Sequence, residues 1–464
     1  MSDGTAPDTP ASYGRAASLL SLGVGTSGLI TYAYFSIASH ELGKVEYGEI
    51  VVVWSAVFII VSTLYRPIEQ LLSRTLAERQ ARGQSLGQPL RVAALIQAAL
   101  AAAFATLALA LRGPLEDGLL DGDSTLYWVL VASVLAFAAG YFARGLFAGT
   151  RRFGLYFLLL LGEASARVTF AVAVAVGAAS GQSAVALGIV AGPCVGLVVV
   201  PLAFTRLAAR SRAHDGAVAS PLSAPASRGE PEFTLAHGGG FAAAVLLIMF
   251  SEQTFLNAGP LLLRASEGAA AAGFIFNVLM IARAPLVLFQ AVATSLLPHL
   301  TRLRSRAGAG DEAFRLSIRG TVAVILGLTV VVGLASVAAG PDLMQLAFGD
   351  KFSYDRAGLL IVTVGMGFYL TAATLNQAAI AQGQVRRAAV RFFACAAGFV
   401  VWTLLPVVAD EFRRVEVGFS AAAMILCGLL YVLYRRPHAR AEDVVRPDSP
   451  QELEARLASA DEAG

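Results

Sequence analysis

Lysine is almost missing from this chain: it occurs at Lys44 and Lys351 and nowhere else. Charge as a whole is scarce. Asp, Glu, Lys and Arg make up 14% of the 464 residues, while 56% are hydrophobic; a soluble domain carries about 25% charged residues. The charge that a water-facing surface would need is absent. Cysteine is scarce too. Cys194, Cys395 and Cys427 lie inside apolar runs with no motif around them, which reads as small buried hydrophobes and not a disulfide framework. No G-x-x-x-x-G-K-[ST] loop exists, so a self-contained ATP-driven pump is excluded. "HELGK" from His40 starts like a zinc-protease motif but ends in Lys44. His40, His214, His237, His299 and His438 are scattered without ligand spacing. No enzyme chemistry, metal or cofactor is expected.

What is present is a series of long apolar runs, each long enough to span a bilayer. Twelve are legible, at about 17–38, 48–70, 91–111, 126–147, 153–177, 184–206, 238–262, 270–297, 318–339, 357–380, 386–408 and 416–434. The polar, acidic N-terminus has no basic region, so the first run does not read as a signal peptide. Arginines fall on alternate connections: Arg74, Arg79, Arg82 and Arg91, then Arg151 and Arg152, then Arg206 and Arg210, and so on to Arg435, Arg436 and Arg440. The other connections are richer in acids such as Glu116, Asp117, Asp121, Asp342 and Asp350. Basic residues mark the cytoplasmic side, so both termini are expected there, in a multi-pass protein of the plasma membrane. The net charge of +3 sums two oppositely biased faces and indicates no nucleic-acid partner.

The expected organisation is a cytoplasmic tail (1–16), a six-helix lobe (17–206), a flexible Ala/Ser/Pro-rich linker (207–237), a second six-helix lobe (238–436) and a charged tail (437–464). The halves are weakly similar. "EYGEIVV" around Gly48 aligns with "AAGFIFN" around Gly273, "RGPL" at Arg112 with "AGPDL" at Ala339, and "LFAGTRR" with "AIAQGQVRR". Six helices is an even number, so the repeats run parallel, with a cavity expected between them. The fold class is therefore all-α and polytopic, with twelve transmembrane helices in two parallel six-helix lobes around a central cavity.

Charges inside the apolar runs are costly and mark cavities or partners. Arg144 reads as snorkelling to the headgroups. Glu163 and Arg167 are spaced i,i+4 and can neutralise each other, structurally or in a cavity. Arg66 and Glu69 are spaced i,i+3. Glu252 stands in "FSEQTFLN" with Ser251, Gln253, Thr254 and Asn257, a patch that reads as a wet cavity wall. Arg283 is the deepest, with no acid at i±3 or i±4 and Gln290 on its own face. Its counter-charge has to come from another helix, Glu252 being nearest in sequence, or from a ligand.

Three segments carry a family resemblance. "PDLMQLAFGDKFSYDRAGLLIVTVGMGFYL", "RAPLVLFQAVATSLLPHLTRL" and "YFARGLFAGTRRFGLYFLLLLGEASARVTF" resemble the corresponding passages of the oligosaccharide-flippase (polysaccharide transporter) branch of the multidrug/oligosaccharidyl-lipid/polysaccharide exporter superfamily. The resemblance implies alternating access and an undecaprenyl-pyrophosphate-linked oligosaccharide as substrate. Arg283 would bind the anionic head, assisted by Arg66 and Arg167, with Glu163 and Glu252 as counter-ions and Gln253, Asn257 and Gln290 as sugar partners. Membrane lipid, glycosyltransferases and a polysaccharide polymerase are the partners it suggests. Two alternatives stay open: a multidrug or metabolite cation antiporter of the same superfamily, against which the acid-free first helix argues, and a non-transporting scaffold for envelope assembly.

Overall fold

The computed structural model describes residues 10–215, 235–283 and 310–435. The elements are α1 (Pro10–Glu41), α2 (Lys44–Leu64), α3 (Arg66–Ala81), α4 (Gly87–Ala110), a short π-helical segment (Pro114–Leu119), α5 (Ser124–Gly149), α6 (Phe153–Ala175) and α7 (Gly181–Asp215). They continue with α8 (Leu235–Glu267), α9 (Ala269–Arg283), α10 (Gly310–Phe348), α11 (Arg356–Ala381), α12 (Val385–Leu404) and α13 (Glu411–Arg435). Among the described residues, 10 helical stretches are long and apolar enough to cross a membrane, the pair α2–α3 counting as one. With α1 and α9, each of the twelve apolar runs falls on a helix, the eighth as far as it is described, to Arg283. The helices α7 and α8 extend into the expected linker, and α1 begins inside the expected N-terminal tail. Gln290 and residues 437–464 lie outside the described residues.

The helices segregate into two lobes of six. In the first, α1 packs on α6, α5 and α6 on α7, and α3 on α5; in the second, α8 packs on α12, and α10 and α13 on α11. Backbone breaks follow from proline. The second apolar run divides at Tyr65, because Pro67 has no N–H to give the preceding turn and its ring clashes with the carbonyl four residues back. The third helix of each lobe also ends at a Gly-Pro step. In lobe one α4 stops and the short Pro114–Leu119 segment follows; in lobe two α10 kinks at Ala339, beside Pro341, and continues to Phe348. These peripheral helices are the least buried spans, at 17% each, which suits a face turned to lipid.

The lobes meet along α2 and α8, with α3–α8 and α1–α10 contacts beside them, and the ends where α1 turns into α2 and α8 into α9 form a closed seam, on the face expected from the arginine alternation to be the outer one. At its top two glycines cross. A Cβ on Gly48 would lie 1.8 Å from the Ala269 carbonyl oxygen, and a Cβ on Gly273 would lie 3.0 Å from the Gly48 Cα. Below them Tyr47, fully buried, donates its hydroxyl to Asn277. Phe35 packs on Phe276, ring centroids 4.6 Å apart. Lys351 donates to the carbonyls of His40 (3.3 Å) and Leu42 (3.1 Å), and Arg264 pairs with Asp121. The deepest tooth is Tyr32, whose hydroxyl donates to the Met280 carbonyl.

A side chain at Gly48 would push against backbone that cannot rotate away. Gly48→Val is therefore expected to hold the seam ajar. Phe276→Cys, in a chain whose three native cysteines are replaced by alanine, should react with a polar thiol reagent several-fold faster when Gly48→Val is added. Equal rates would mean that the glycine crossing does not govern closure.

Candidate functional site: an inter-lobe charge cluster

The break at Tyr65 decides where Arg66 sits. It is the first residue of α3, with Pro67 next to it, so its side chain leaves the helix at the N-terminal end. The helix dipole disfavours a cation there and favours an anion. Two carboxylates answer this. Glu69 lies one turn along α3, and Glu252 reaches Arg66 from α8 of the other lobe, each within electrostatic range of the guanidinium. Tyr369 of α11 is buried within range of Glu252, Arg66 and Arg283 together. The cluster thus gathers side chains from both lobes at the depth where the seam ends.

Arg283 terminates the described part of α9. At 1.5 Å per residue it lies about 21 Å from the N-terminal end of that helix, a depth that falls within a hydrocarbon layer about 30 Å thick. Its guanidinium carbon is 5.9 Å from the Phe276 ring centroid, and its polar neighbours are the phenols of Tyr32 and Tyr369. Its Nε and Nη2 are buried and make no hydrogen bond, and no described carboxylate pairs with it. The expected Arg283–Glu252 pairing is not formed, because Glu252 faces Arg66 instead.

A second network fills lobe one, where two expectations are corrected. Arg144 does not snorkel. Its side chain is 12% exposed and forms an ion pair with Glu163, and it lies 4.6 Å from the Tyr141 ring centroid. Glu163 is therefore spoken for across helices, and Arg167, one turn along its own helix, takes other partners. Arg167 donates to the Thr31 hydroxyl at 3.2 Å and lies 4.6 Å from the Trp54 ring centroid, still in the field of Glu163. Both residues are nearly inaccessible, 3% and 4% exposed. Tyr156 donates to Glu69 at 3.0 Å, and Glu69 stands within range of both Arg144 and Arg66. This joins the lobe-one network to the inter-lobe cluster. Glu69 and Tyr156, with Gln70, Ser73 and Arg74, line a pocket of about 310 Å³ between α3, α5 and α6.

The polar patch of α8 behaves differently from a wet wall. Asn257 donates to Gln253 at 2.9 Å, while the hydroxyls of Ser251 and Thr254 donate to the carbonyls of Leu247 and Phe250 one turn back. These groups satisfy each other within the helix, and Glu252 alone of the patch reaches across. Of the residues singled out from sequence, Arg66, Glu252 and Arg283 come together around Tyr369; Glu163 and Arg167 sit in lobe one; Gln253 and Asn257 turn to each other. Sequence reasoning passed over Tyr32, Tyr156 and Tyr369. The usable signal was a tyrosine in an apolar run, since a buried phenol must find a partner. No group of metal-ligating side chains forms among the described residues.

No family model matches the chain, and no curated protein matches it in sequence. Solved structures do match. An inward-facing multidrug resistance MATE family transporter of the MOP superfamily aligns with TM-score 0.62 and 11% identity, over 90% of this chain and 97% of that one. A mutant of the Vibrio cholerae MATE transporter VcmN aligns with TM-score 0.57 and 16% identity, over 91% and 97%. The eukaryotic MATE transporter AtDTX14 aligns with TM-score 0.57 and 15% identity, over 96% and 97%. The chain has the MATE transporter fold. In this fold α2 crosses α9 and packs along α8 to form the seam, and Arg66 and Glu252 face each other within electrostatic range just inside it. The sequence resemblance points to the polysaccharide branch of the MOP superfamily, whereas the structural likeness is to its MATE members.

Removing one partner of a buried ion pair leaves a charge without compensation, which costs about 3–5 kcal/mol, whereas replacing both by apolar residues costs far less. Glu163→Gln is expected to lower the Tm of the detergent-solubilised protein by several degrees. Arg144→Met combined with Glu163→Met should recover most of the loss. Equal Tm values for wild type and Glu163→Gln would show that the pair carries no stability.

Proposed function

We propose that this chain is a plasma-membrane transporter that carries an anionic substrate by alternating access, and that the substrate is a lipid-linked oligosaccharide with a pyrophosphate head. One observation carries the reading: the Arg283 guanidinium lies beneath the seam with no carboxylate partner among the described residues. Around it Arg66, Arg144, Arg167 and Arg283 outnumber Glu69, Glu163 and Glu252, so the charge left over is positive. Each of the three glutamates already faces an arginine, which leaves a cationic substrate no free carboxylate in this cluster.

A pyrophosphate brings about two negative charges, and an arginine fork grips phosphate oxygens in pairs. Seam closure on the outer side leaves loading to the cytoplasmic side, in keeping with the arginine-rich connections facing that compartment and both chain ends lying there. The isoprenoid tail would stay in lipid while the head crosses between the lobes. Glycosyltransferases would supply such a cargo and a polymerase would consume it. A second reading is a multidrug exporter, favoured by the fold likeness to a transporter described as conferring multidrug resistance.

The readings separate in proteoliposomes. A fluorescent undecaprenyl-pyrophosphate disaccharide should be flipped by wild type. Arg283→Gln should slow flipping about 10-fold or more, since a hydrogen bond to a charged group is worth about 1.5–3 kcal/mol. Arg283→Lys should fall between, keeping the charge but losing the fork. Undiminished flipping by Arg283→Gln at equal reconstitution would overturn the assignment of the site. Exchange of ethidium against protons or sodium, with no movement of the lipid-linked sugar, would favour the exporter.

A further inference from the structure

The seam and the unpaired guanidinium share one side chain. Tyr32, on α1 of lobe one, donates its hydroxyl to the Met280 carbonyl on α9 of lobe two. Met280 is three residues from Arg283, one helical turn, on the same helix. Tyr32 is also within electrostatic range of the Arg283 guanidinium, and its ring is only part-buried. The phenol therefore stands on the boundary, with the seam on one side and the cluster on the other. Among the described residues no other seam contact has this position. The Tyr47–Asn277 bond, the Gly48–Gly273 crossing and the Lys351 contacts all lie nearer the outer ends of their helices.

A phenol has one proton to donate. In the closed seam it goes to a neutral carbonyl. An anionic oxygen held against Arg283 would be a second acceptor at the same boundary, and a charged acceptor makes the stronger bond, roughly twice that of a neutral one. The two acceptors compete for one donor, so a bond gained by the cargo is a bond lost by the seam. From this we propose that Tyr32 links the cargo site to the outer gate: a phosphate-bearing substrate bound at Arg283 draws the Tyr32 hydroxyl from the Met280 carbonyl and so releases the deepest tooth of the seam. Tyr32 is a positioning residue in this scheme. It acts on the gate through its choice of acceptor, and no covalent bond is made or broken. The inference rests on the anionic-cargo reading above.

The test measures the gate and keeps it apart from transport. Spin labels at Lys44→Cys and Glu267→Cys, both exposed and on opposite lobes, report the outer separation by pulsed EPR in proteoliposomes, with the native cysteines replaced. Farnesyl pyrophosphate is the anionic probe and farnesol the neutral control. In the otherwise wild-type pair, farnesyl pyrophosphate and not farnesol should raise the open fraction. Tyr32→Phe should raise the resting open fraction about five-fold, the worth of one ordinary hydrogen bond, and should no longer respond to the probe. Tyr47→Phe, which removes a seam bond away from Arg283, should also loosen the resting gate yet keep its response. That contrast distinguishes a link from a mere latch and also controls for folding. Arg283→Gln should lose the response to farnesyl pyrophosphate. A Tyr32→Phe protein that responds as wild type does would overturn the inference while leaving the cargo reading intact. A wild-type gate that ignores farnesyl pyrophosphate would overturn the inference too, and the flipping assay then decides the cargo reading on its own.

Discussion

Everything the two lobes do together depends on two backbones coming into contact with no side chain between them. Gly48 and Gly273 supply that contact, and a single methyl group on the first would overlap a carbonyl of the partner helix. In a membrane there is little hydrophobic gain in pressing one apolar helix on another, so close backbone packing and interhelical hydrogen bonds carry the association. The crossing brings α2 and α9 near enough for Tyr47 to reach Asn277 and for Phe35 to meet Phe276. The same two glycines align with each other in the internal repeat. Equivalent positions of two parallel repeats can touch only beside the axis that relates them, so the crossing marks that axis at the seam.

Below the seam the physics changes from packing to charge. Arginine cannot shed its proton, and an unpaired one in low dielectric is costly. The arginines of lobe one are each answered: Arg144 by Glu163, Arg167 by the Thr31 hydroxyl and the Trp54 ring, and Arg66 by Glu69 and, from lobe two, by Glu252. Among the described residues the neighbours of Arg283 are the rings of Phe276, Tyr32 and Tyr369. The corresponding region of lobe two is itself aromatic, with Phe255 against Tyr369, Phe399 and Phe419. At this depth the ion pair of Arg144 with Glu163 belongs to lobe one and the facing rings to lobe two, and the unmatched charge lies where they face each other.

Much of the fold was legible in the sequence because it rests on period and composition. Apolar runs of bilayer length give helices, and the two glycines that cross, Gly48 and Gly273, were visible as an aligned pair. Helix ends were less legible: α7 and α8 run on into polar sequence, since a helix does not stop where its membrane-facing stretch does. The site was legible only in its members. Buried arginines and glutamates announce themselves by cost, but pairing is a property of helices brought together in space. Spacing along one helix favoured Glu163 with Arg167, and the fold gave Glu163 to Arg144. The tyrosines went unnoticed because a phenol in an apolar run looks like any other ring until its hydroxyl finds an acceptor in the other lobe.

The near-absence of lysine has a practical side. Lys44 and Lys351 are both exposed and both stand at the seam, on opposite lobes, and the Lys351 ammonium is held by the His40 and Leu42 carbonyls while the seam is closed. An amine-selective reagent applied to the folded protein therefore has no other side-chain ammonium to modify. The reactivity of Lys351 relative to Lys44, read by mass spectrometry on the unmutated chain, becomes a built-in gauge of how far the two lobes have parted.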